Sequence, residues 1–132
     1  MAHVLVVDDS HVERRIVSKI LQQNGLHLIE ADDGVNALAA VKTTIPSLVT
    51  LDVEMPRMDG YEVCRQLKSN VRTQHIPIIM CTSRGPDLDP YFGTDQGADA
   101  YLKKPYSRAD LLETIKQLLS GNSVNPPTSK PN

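Results

Sequence analysis

The sequence predicts an α/β fold: one five-stranded parallel sheet, doubly wound, with about five helices on its two faces. Three observations lead there. Short apolar runs alternate strictly with segments whose apolar residues recur at helical spacing, five times along the chain. The runs at 3–8 and 47–52 are predominantly apolar until a terminal aspartate, with Val4 to Val7 and Leu48, Val49 and Leu51, as in strands covered on both sides. A length of 132 residues, 40% apolar and 23% charged, suits one soluble domain. Right-handed crossovers in such a sheet bring every strand's C-terminal end to one rim.

The first strand is the run at 3–8, which ends on Asp8. A helix follows: Ser10 with Glu13 three residues on has the form of a capping box. Val12, Ile16, Val17, Ile20 and Leu21 fall on one face of it, and Gly25 suits a left-handed C-cap. The second strand is 26–30, and Asp32-Asp33-Gly34 turns into a second helix striped by Val35, Leu38, Ala39 and Val41, with Pro46 beyond its end. The third strand, 47–52, closes on Asp52 and passes into a loop punctuated by Pro56 and Gly60. Asp59 caps a third helix whose apolar positions are Tyr61, Val63, Cys64 and Leu67. The fourth strand is 76–81, with Pro77 tolerable near its start. The stretch 83–97 holds Gly85, Pro86, Pro90, Gly93 and Gly97 and leaves room only for a short fourth helix at about 90–96, capped by Asp89. The fifth strand, 98–103, is the most polar and is expected at a sheet edge. Ser107 caps the last helix, with Leu111, Leu112, Ile115, Leu118 and Leu119 on its inner side and Gly121 ending it. The domain therefore takes residues 1–121, and 122–132, rich in Pro, Ser and Asn, are expected to form a disordered tail. The chain has no internal repeat.

Composition removes several classes of function. A net charge of −2 with no Lys/Arg run does not make a nucleic-acid surface. Cys64 and Cys81 lack CxxC spacing and nearby histidines, as expected of reduced thiols in a cytosolic protein, with Cys81 buried in a strand. No stretch of about 18 apolar residues and no leader pattern is present, so a cytoplasmic location without membrane insertion is expected. Neither a P-loop nor a GxGxxG run occurs, which leaves no cradle for a nucleotide.

Five polar side chains gather on the common rim: Asp8 and Asp9 after the first strand, Asp52 at the end of the third, Thr82 after the fourth and Lys104 after the fifth. Each alone has an ordinary explanation: a helix cap, a loop-start residue, a strand-end hydroxyl, a solvated charge. Together they suit one chemistry. Ser10 already supplies the cap, so adjacent Asp8 and Asp9 are surplus and repel unless a cation binds. Three carboxylates suit a hard, oxygen-liking ion such as Mg2+ and not Zn2+, which would take His or Cys. A cation with an ammonium and a hydroxyl suits the oxygens of a phosphoryl group held on or near Asp52.

In Asp8-Asp9-Ser10, in Leu-Asp-Val-Glu-Met-Pro-Arg-Met-Asp-Gly at 51–60, in Thr82-Ser83 and in Lys104-Pro105, the chain resembles the receiver domain of bacterial two-component response regulators, a CheY-like, flavodoxin-like fold. The match spans about residues 3–120 in order, spacing and strand context. The resemblance implies that Asp52 is the phosphoacceptor. It implies that Asp9 and Asp52 ligate Mg2+, with the Glu54 backbone carbonyl as a third protein ligand and Asp8 acting through water. Lys104 would pair with the phosphoryl oxygens, Thr82 would be the switch hydroxyl, and Tyr101 the switch aromatic, rotating inward as Thr82 is drawn in. The peptide before Pro105 would be cis. The implied phosphodonor is a histidine kinase, and the implied output is contact with a downstream effector protein on the face of the fourth helix, fifth strand and fifth helix. Such a protein catalyses its own phosphotransfer and dephosphorylation and is otherwise not an enzyme; a monomer or weak dimer is expected. A stand-alone receiver of chemotaxis or pilus-motility type is the leading reading. Two others stay open: a receiver excised from a larger hybrid kinase or regulator, and a Mg2+-dependent phosphohydrolase with Asp52 as nucleophile and Glu54 as second acid.

Two expectations concern this sequence in particular. Glu54 lies two residues beyond Asp52, and Arg84 two beyond Thr82, so the pair could meet across the site entrance and gate the attacking water. The Pro/Gly-rich segment 85–97 departs from a long regular fourth helix and so from partner modes that depend on one.

Overall fold

In the computed structural model, which describes residues 2–83 and 97–121, five strands form one parallel sheet in the order β2-β1-β3-β4-β5. They are β1 (His3–Val7), β2 (His27–Ala31), β3 (Leu48–Asp52), β4 (Ile78–Thr82) and β5 (Ala100–Lys103). The helices among the described residues are α1 (His11–Gln23), α2 (Gly34–Thr43), α3 (Gly60–Lys68) and α4 (Arg108–Leu119). The short helix expected at 90–96, Arg84 and the tail 122–132 lie outside the described residues.

Alternation along each strand divides its side chains between two cores, and so a continuous apolar run is needed. Leu5 and Val7 of β1, Val49 and Leu51 of β3, and Ile78 and Met80 of β4 enter one cluster with Ala37, Val41, Val63 and Leu67 of α2 and α3. Val4 and Val6, Leu48, and Ile79 and Cys81 enter the other, with Leu21 of α1 and Leu111, Ile115 and Leu118 of α4. The polar fifth strand lies at an edge, as expected. Its pairing starts at Ala100, two residues later than the sequence suggests, while the Asp99 N–H already donates to the Ile78 carbonyl at 2.8 Å. β4 also starts two residues late, at Ile78, because Pro77 has no N–H for the ladder; its carbonyl still accepts from Val49 N at 3.0 Å.

Two helix faces differ from expectation. On α1, Val12 and Ile16 are 66% and 56% exposed; the helix buries Leu21, as expected, together with Ser18, and leaves Val17 and Ile20 half-buried. The apolar stripe is wider than the strip that meets the sheet, so its outer half stays in water. On α2, Val35 is 57% exposed and Ala39 is exposed, while Gly34, Ala37 and Val41 face inward. Small residues decide that face. A Cβ on Gly34 would stand 2.8 Å from Val63 Cγ2 and 2.9 Å from Met58 Sδ, so α2 approaches α3 through the residue with least bulk. The helix ends follow the capping signals: Ser10, Asp33, Asp59 and Ser107 each accept from the N–H three residues on, and Gly25 takes φ 81° after α1.

The sheet order reverses between β1 and β3. The chain runs outward from β1 to β2, then returns across β1 to place β3 on its other side. The crevice at the C-terminal ends of β1 and β3 is where an open α/β sheet accepts ligands. Asp8 and Asp9 follow one of these strands and Asp52 ends the other.

Candidate functional site

Asp52 is 5% exposed at the end of a fully buried strand. One carboxylate oxygen from each of Asp8, Asp9 and Asp52 lies within 4.8 Å of the others. Asp8 is buried and Asp9 exposed, so the cluster opens to solvent on the Asp9 side. Lys104, one residue past β5, reaches back over it: its Nζ lies 3.2 Å from Asp52 Oδ1 and 3.8 Å from Asp8 Oδ2. Its backbone N–H donates to the Thr82 carbonyl at 2.6 Å, and the Lys104–Pro105 peptide is cis, as expected.

The loop after β3 approaches the strand end closely. Gly60 N donates to the Val53 carbonyl at 3.0 Å, and a Cβ at Gly60 would stand 2.8 Å from Val53 Cα and closer still to the Asp52 carbonyl oxygen. Only glycine permits α3 to start so near the acid. Glu54 N donates to Asp52 Oδ1 at 3.3 Å, which adds a second polar contact to that carboxylate beside Lys104. Behind Asp8, its carbonyl accepts from Arg14 Nη1 at 2.8 Å, and its Oδ1 accepts from Ser10 N at 2.9 Å.

The electrostatics are those of acids forced together under cover. Burial pushes the Asp52 carboxyl up to about 7; the Asp8 charge adds to this, while Lys104 and the Glu54 N–H hold it down. Burial likewise raises Asp8, against the Ser10 N–H and Lys104. Burial works against the charge on Lys104, yet Glu13, Asp52 and Asp8 outweigh it and raise the ammonium above its ordinary value. The donor set is oxygen throughout, three carboxylates and no His or Cys, and so fits a hard divalent cation.

The structure brings Asp8, Asp9, Asp52 and Lys104 together. Thr82 stands on the same rim, fully buried, with its hydroxyl donating to Glu54 Oε2 at 3.2 Å. Glu54 also accepts from Ser83 Oγ at 2.8 Å and Ser83 N at 3.3 Å. Its carboxylate thus reaches toward the end of β4 from which Arg84 follows, and Arg84 itself is outside the described residues. Tyr101 is buried within the core cluster under α3, so the inward rotation expected of it starts from a ring that is already inward. Three contributors were given no site role by sequence reasoning: Glu13, whose Oε1 accepts from Lys104 Nζ at 2.9 Å; Arg14, on the Asp8 carbonyl; and Ser83, on Glu54. Glu13 and Arg14 sit in the first turn after Asp8-Asp9, and that proximity to the rim was the available signal.

The model of the response regulator receiver domain matches residues 4–116. The chain belongs to that family. It is similar to the protein PilG of Pseudomonas aeruginosa, 40% identical over 113 residues, covering 86% of this chain and 84% of PilG. PilH of the same organism is 35% identical over 121 residues, 92% of this chain and all of PilH. Among solved structures, the chemotaxis protein CheY4 of Vibrio cholerae superposes with a TM-score of 0.81 at 35% identity, over 89% of this chain and 98% of CheY4. The receiver thus falls within two-component signalling, whose receivers take a phosphoryl group from a histidine kinase and act on a downstream effector. Among its described residues no helix is long and apolar enough to cross a membrane.

Proposed function

We propose that this receiver accepts a phosphoryl group on Asp52 from a phosphohistidine of a kinase and alters its contact with an effector protein. The observation that supports this most strongly is the pairing of a buried Asp52 with Lys104 at 3.2 Å, beside two further carboxylates. Asp52 is the acceptor because, of the two buried acids beside the lysine, its oxygen is the nearer, at 3.2 Å against 3.8 Å for Asp8. Asp9, Asp52 and the Glu54 carbonyl would hold Mg2+, with Asp8 acting through water. When bound, Mg2+ supplies neutralising charge for the phosphoryl oxygens. The chain's own part is positioning: the Glu54 N–H orients one Asp52 oxygen, and Lys104 meets charge developing on the transferred group.

Once the group is on Asp52, its oxygens compete for the Thr82 hydroxyl now given to Glu54. Movement of Thr82 at the end of β4 then carries the state outward through the adjoining β5, where Tyr101, already inward, responds by shifting in place and not by rotating in from solvent. Pilus-motility or chemotaxis signalling is the pathway type favoured by the likeness to PilG, PilH and CheY4. The phosphohydrolase reading loses support, since Glu54, which would have to serve as second acid, is committed to Thr82 and Ser83.

The test is phosphotransfer from the histidine kinases of the host, run beside the Asp52→Asn variant. Label should appear on the wild type from one kinase or a few and be absent from the variant. Full labelling of Asp52→Asn would refute the assignment.

A further inference from the structure

Glu13 is the third residue of α1, where the sequence has the form of a capping box. In a complete box its carboxylate would turn back to Ser10 N. Here that N–H donates to Asp8 Oδ1 at 2.9 Å, and only the other half of the box forms, Glu13 N to Ser10 Oγ at 3.2 Å. The Glu13 carboxylate is thereby free of the cap. It crosses to Lys104 Nζ at 2.9 Å, a contact between residues 91 apart and shorter than the 3.2 Å from Lys104 to Asp52. The third residue of α3 makes a useful contrast. Glu62 follows the same kind of cap, and its carboxylate stays on its own helix, accepting from Arg65 at 2.6 Å and Gln66 at 2.9 Å.

We infer that Glu13 is a positioning residue that competes with the phosphoryl group for Lys104, and so sets how readily Asp52 takes that group from a small donor. The inference rests on the phosphoacceptor reading above. Lys104 has three N–H bonds to give, and Glu13 and Asp52 both draw on them. Phosphorylation turns the single charge of the Asp52 carboxylate into roughly two on the phosphoryl oxygens, beside a site that already holds Asp8, Asp9 and Glu13. Glu13 is the member of this set that neither accepts the group nor belongs to the acidic triad; its charge acts by direct contact on the lysine and at longer range on Asp8. Its side chain is 54% exposed, so the contact is screened and the effect is a few-fold, not orders of magnitude.

The experiment uses the full chain with Mg2+ and two readouts. One is affinity for beryllium trifluoride (BeF3−), an anionic mimic of the phosphoryl group, by calorimetry or fluorine NMR; the other is the rate of self-phosphorylation by acetyl phosphate. Glu13→Gln and Glu13→Ala should both bind the mimic more tightly and react faster, by about two- to fivefold. The gain should shrink at about 1 M salt, where exposed charges are screened. Glu62→Gln, at the same helix position away from the site, should change neither readout. A purely structural role for Glu13 gives no gain. Unchanged or weaker binding in both Glu13 variants overturns the inference and leaves the acceptor assignment standing. If the wild type takes up neither the mimic nor label on Asp52, both fall together.

Discussion

Replacing Asp52 by Asn should stabilise the metal-free protein, and more so as pH rises. The physical origin is the displacement of its carboxyl from 3.8 to about 7, caused first by burial and then by the Asp8 charge. The sign follows from proton linkage. A carboxyl raised in the folded state holds its proton there after the unfolded chain has released it, so folding loses stability as pH climbs from the unfolded value toward the folded one. Each pH unit of that interval is worth about 1.36 kcal/mol, and about two such units lie between pH 5 and the folded value. The advantage of Asp52→Asn over wild type should therefore grow by about 2–3 kcal/mol between pH 5 and pH 8. Taking the change with pH removes the constant cost of giving Lys104 a neutral partner in place of a charge. Urea unfolding in a chelator, at several pH values, measures it. Millimolar Mg2+ should then close most of the gap at pH 8 by stabilising the wild type and not the variant. A gap that is flat with pH, or equal stabilisation of both proteins by Mg2+, would refute the account of crowded, buried acids.

Other expectations test the frame around the site. Gly60→Ala places a Cβ 2.8 Å from Val53 Cα, against backbone that cannot step aside, and should cost about 1–3 kcal/mol in urea while weakening Mg2+ binding; wild-type values in both measurements would show that α3 can move. Lys68 Nζ donates to the carbonyls of Ile76 at 2.9 Å and Gln74 at 3.2 Å and to Asp99 Oδ2 at 3.0 Å, which in turn accepts from Ile78 N at 2.8 Å. Lys68→Met should accordingly lose about 1–3 kcal/mol of stability and leave affinity for beryllium trifluoride unchanged. Burial pushes the Cys64 and Cys81 thiols up to about 11 and about 12, so iodoacetamide at pH 8 should modify them only after unfolding; prompt labelling of the native protein would contradict the packing.

The sheet and the rim were legible in the sequence because both rest on local pattern. A strand covered on two faces is apolar at nearly every position, Thr50 being the exception in β3, and a charge that ends such a run is conspicuous, as Asp8 and Asp52 are. Helix faces were less legible where size and position disagreed. On α2, bulk suggested Val35, yet contact with α3 selects Gly34 and Ala37, which allow the closest approach. On α1, Ser18 is fully buried while Ile16 is mostly exposed, an outcome set by how the helix lies on the sheet and not by hydrophobicity alone. The partner of Glu13 could not be read locally at all, because Lys104 is 91 residues away and reaches it only through the order of the strands. Likewise, the inward ring of Tyr101 and the contacts of Glu54 with Thr82 and Ser83 depend on how neighbouring strand ends meet.

Those contacts share one property that bears on how a phosphoryl group would act here. Two donors expected to receive its oxygens are already satisfied by carboxylates: Lys104 by Glu13 and Asp52, and Thr82 by Glu54. Phosphorylation on the proposed reading is then an exchange of partners and not the making of contacts from nothing. An exchange has a small net free energy, because each hydrogen bond gained replaces one lost, and a protein whose two states differ by little can be shifted by one modification. Direction comes from charge. The incoming group carries nearly two negative charges where each displaced carboxylate carries one, so both donors favour it. The displaced acids are also free to leave: Glu13 is half-exposed on α1 and Glu54 lies on the loop beyond β3, so each can turn to water when its donor is taken, whereas Asp8 and Asp52 are held in place by burial.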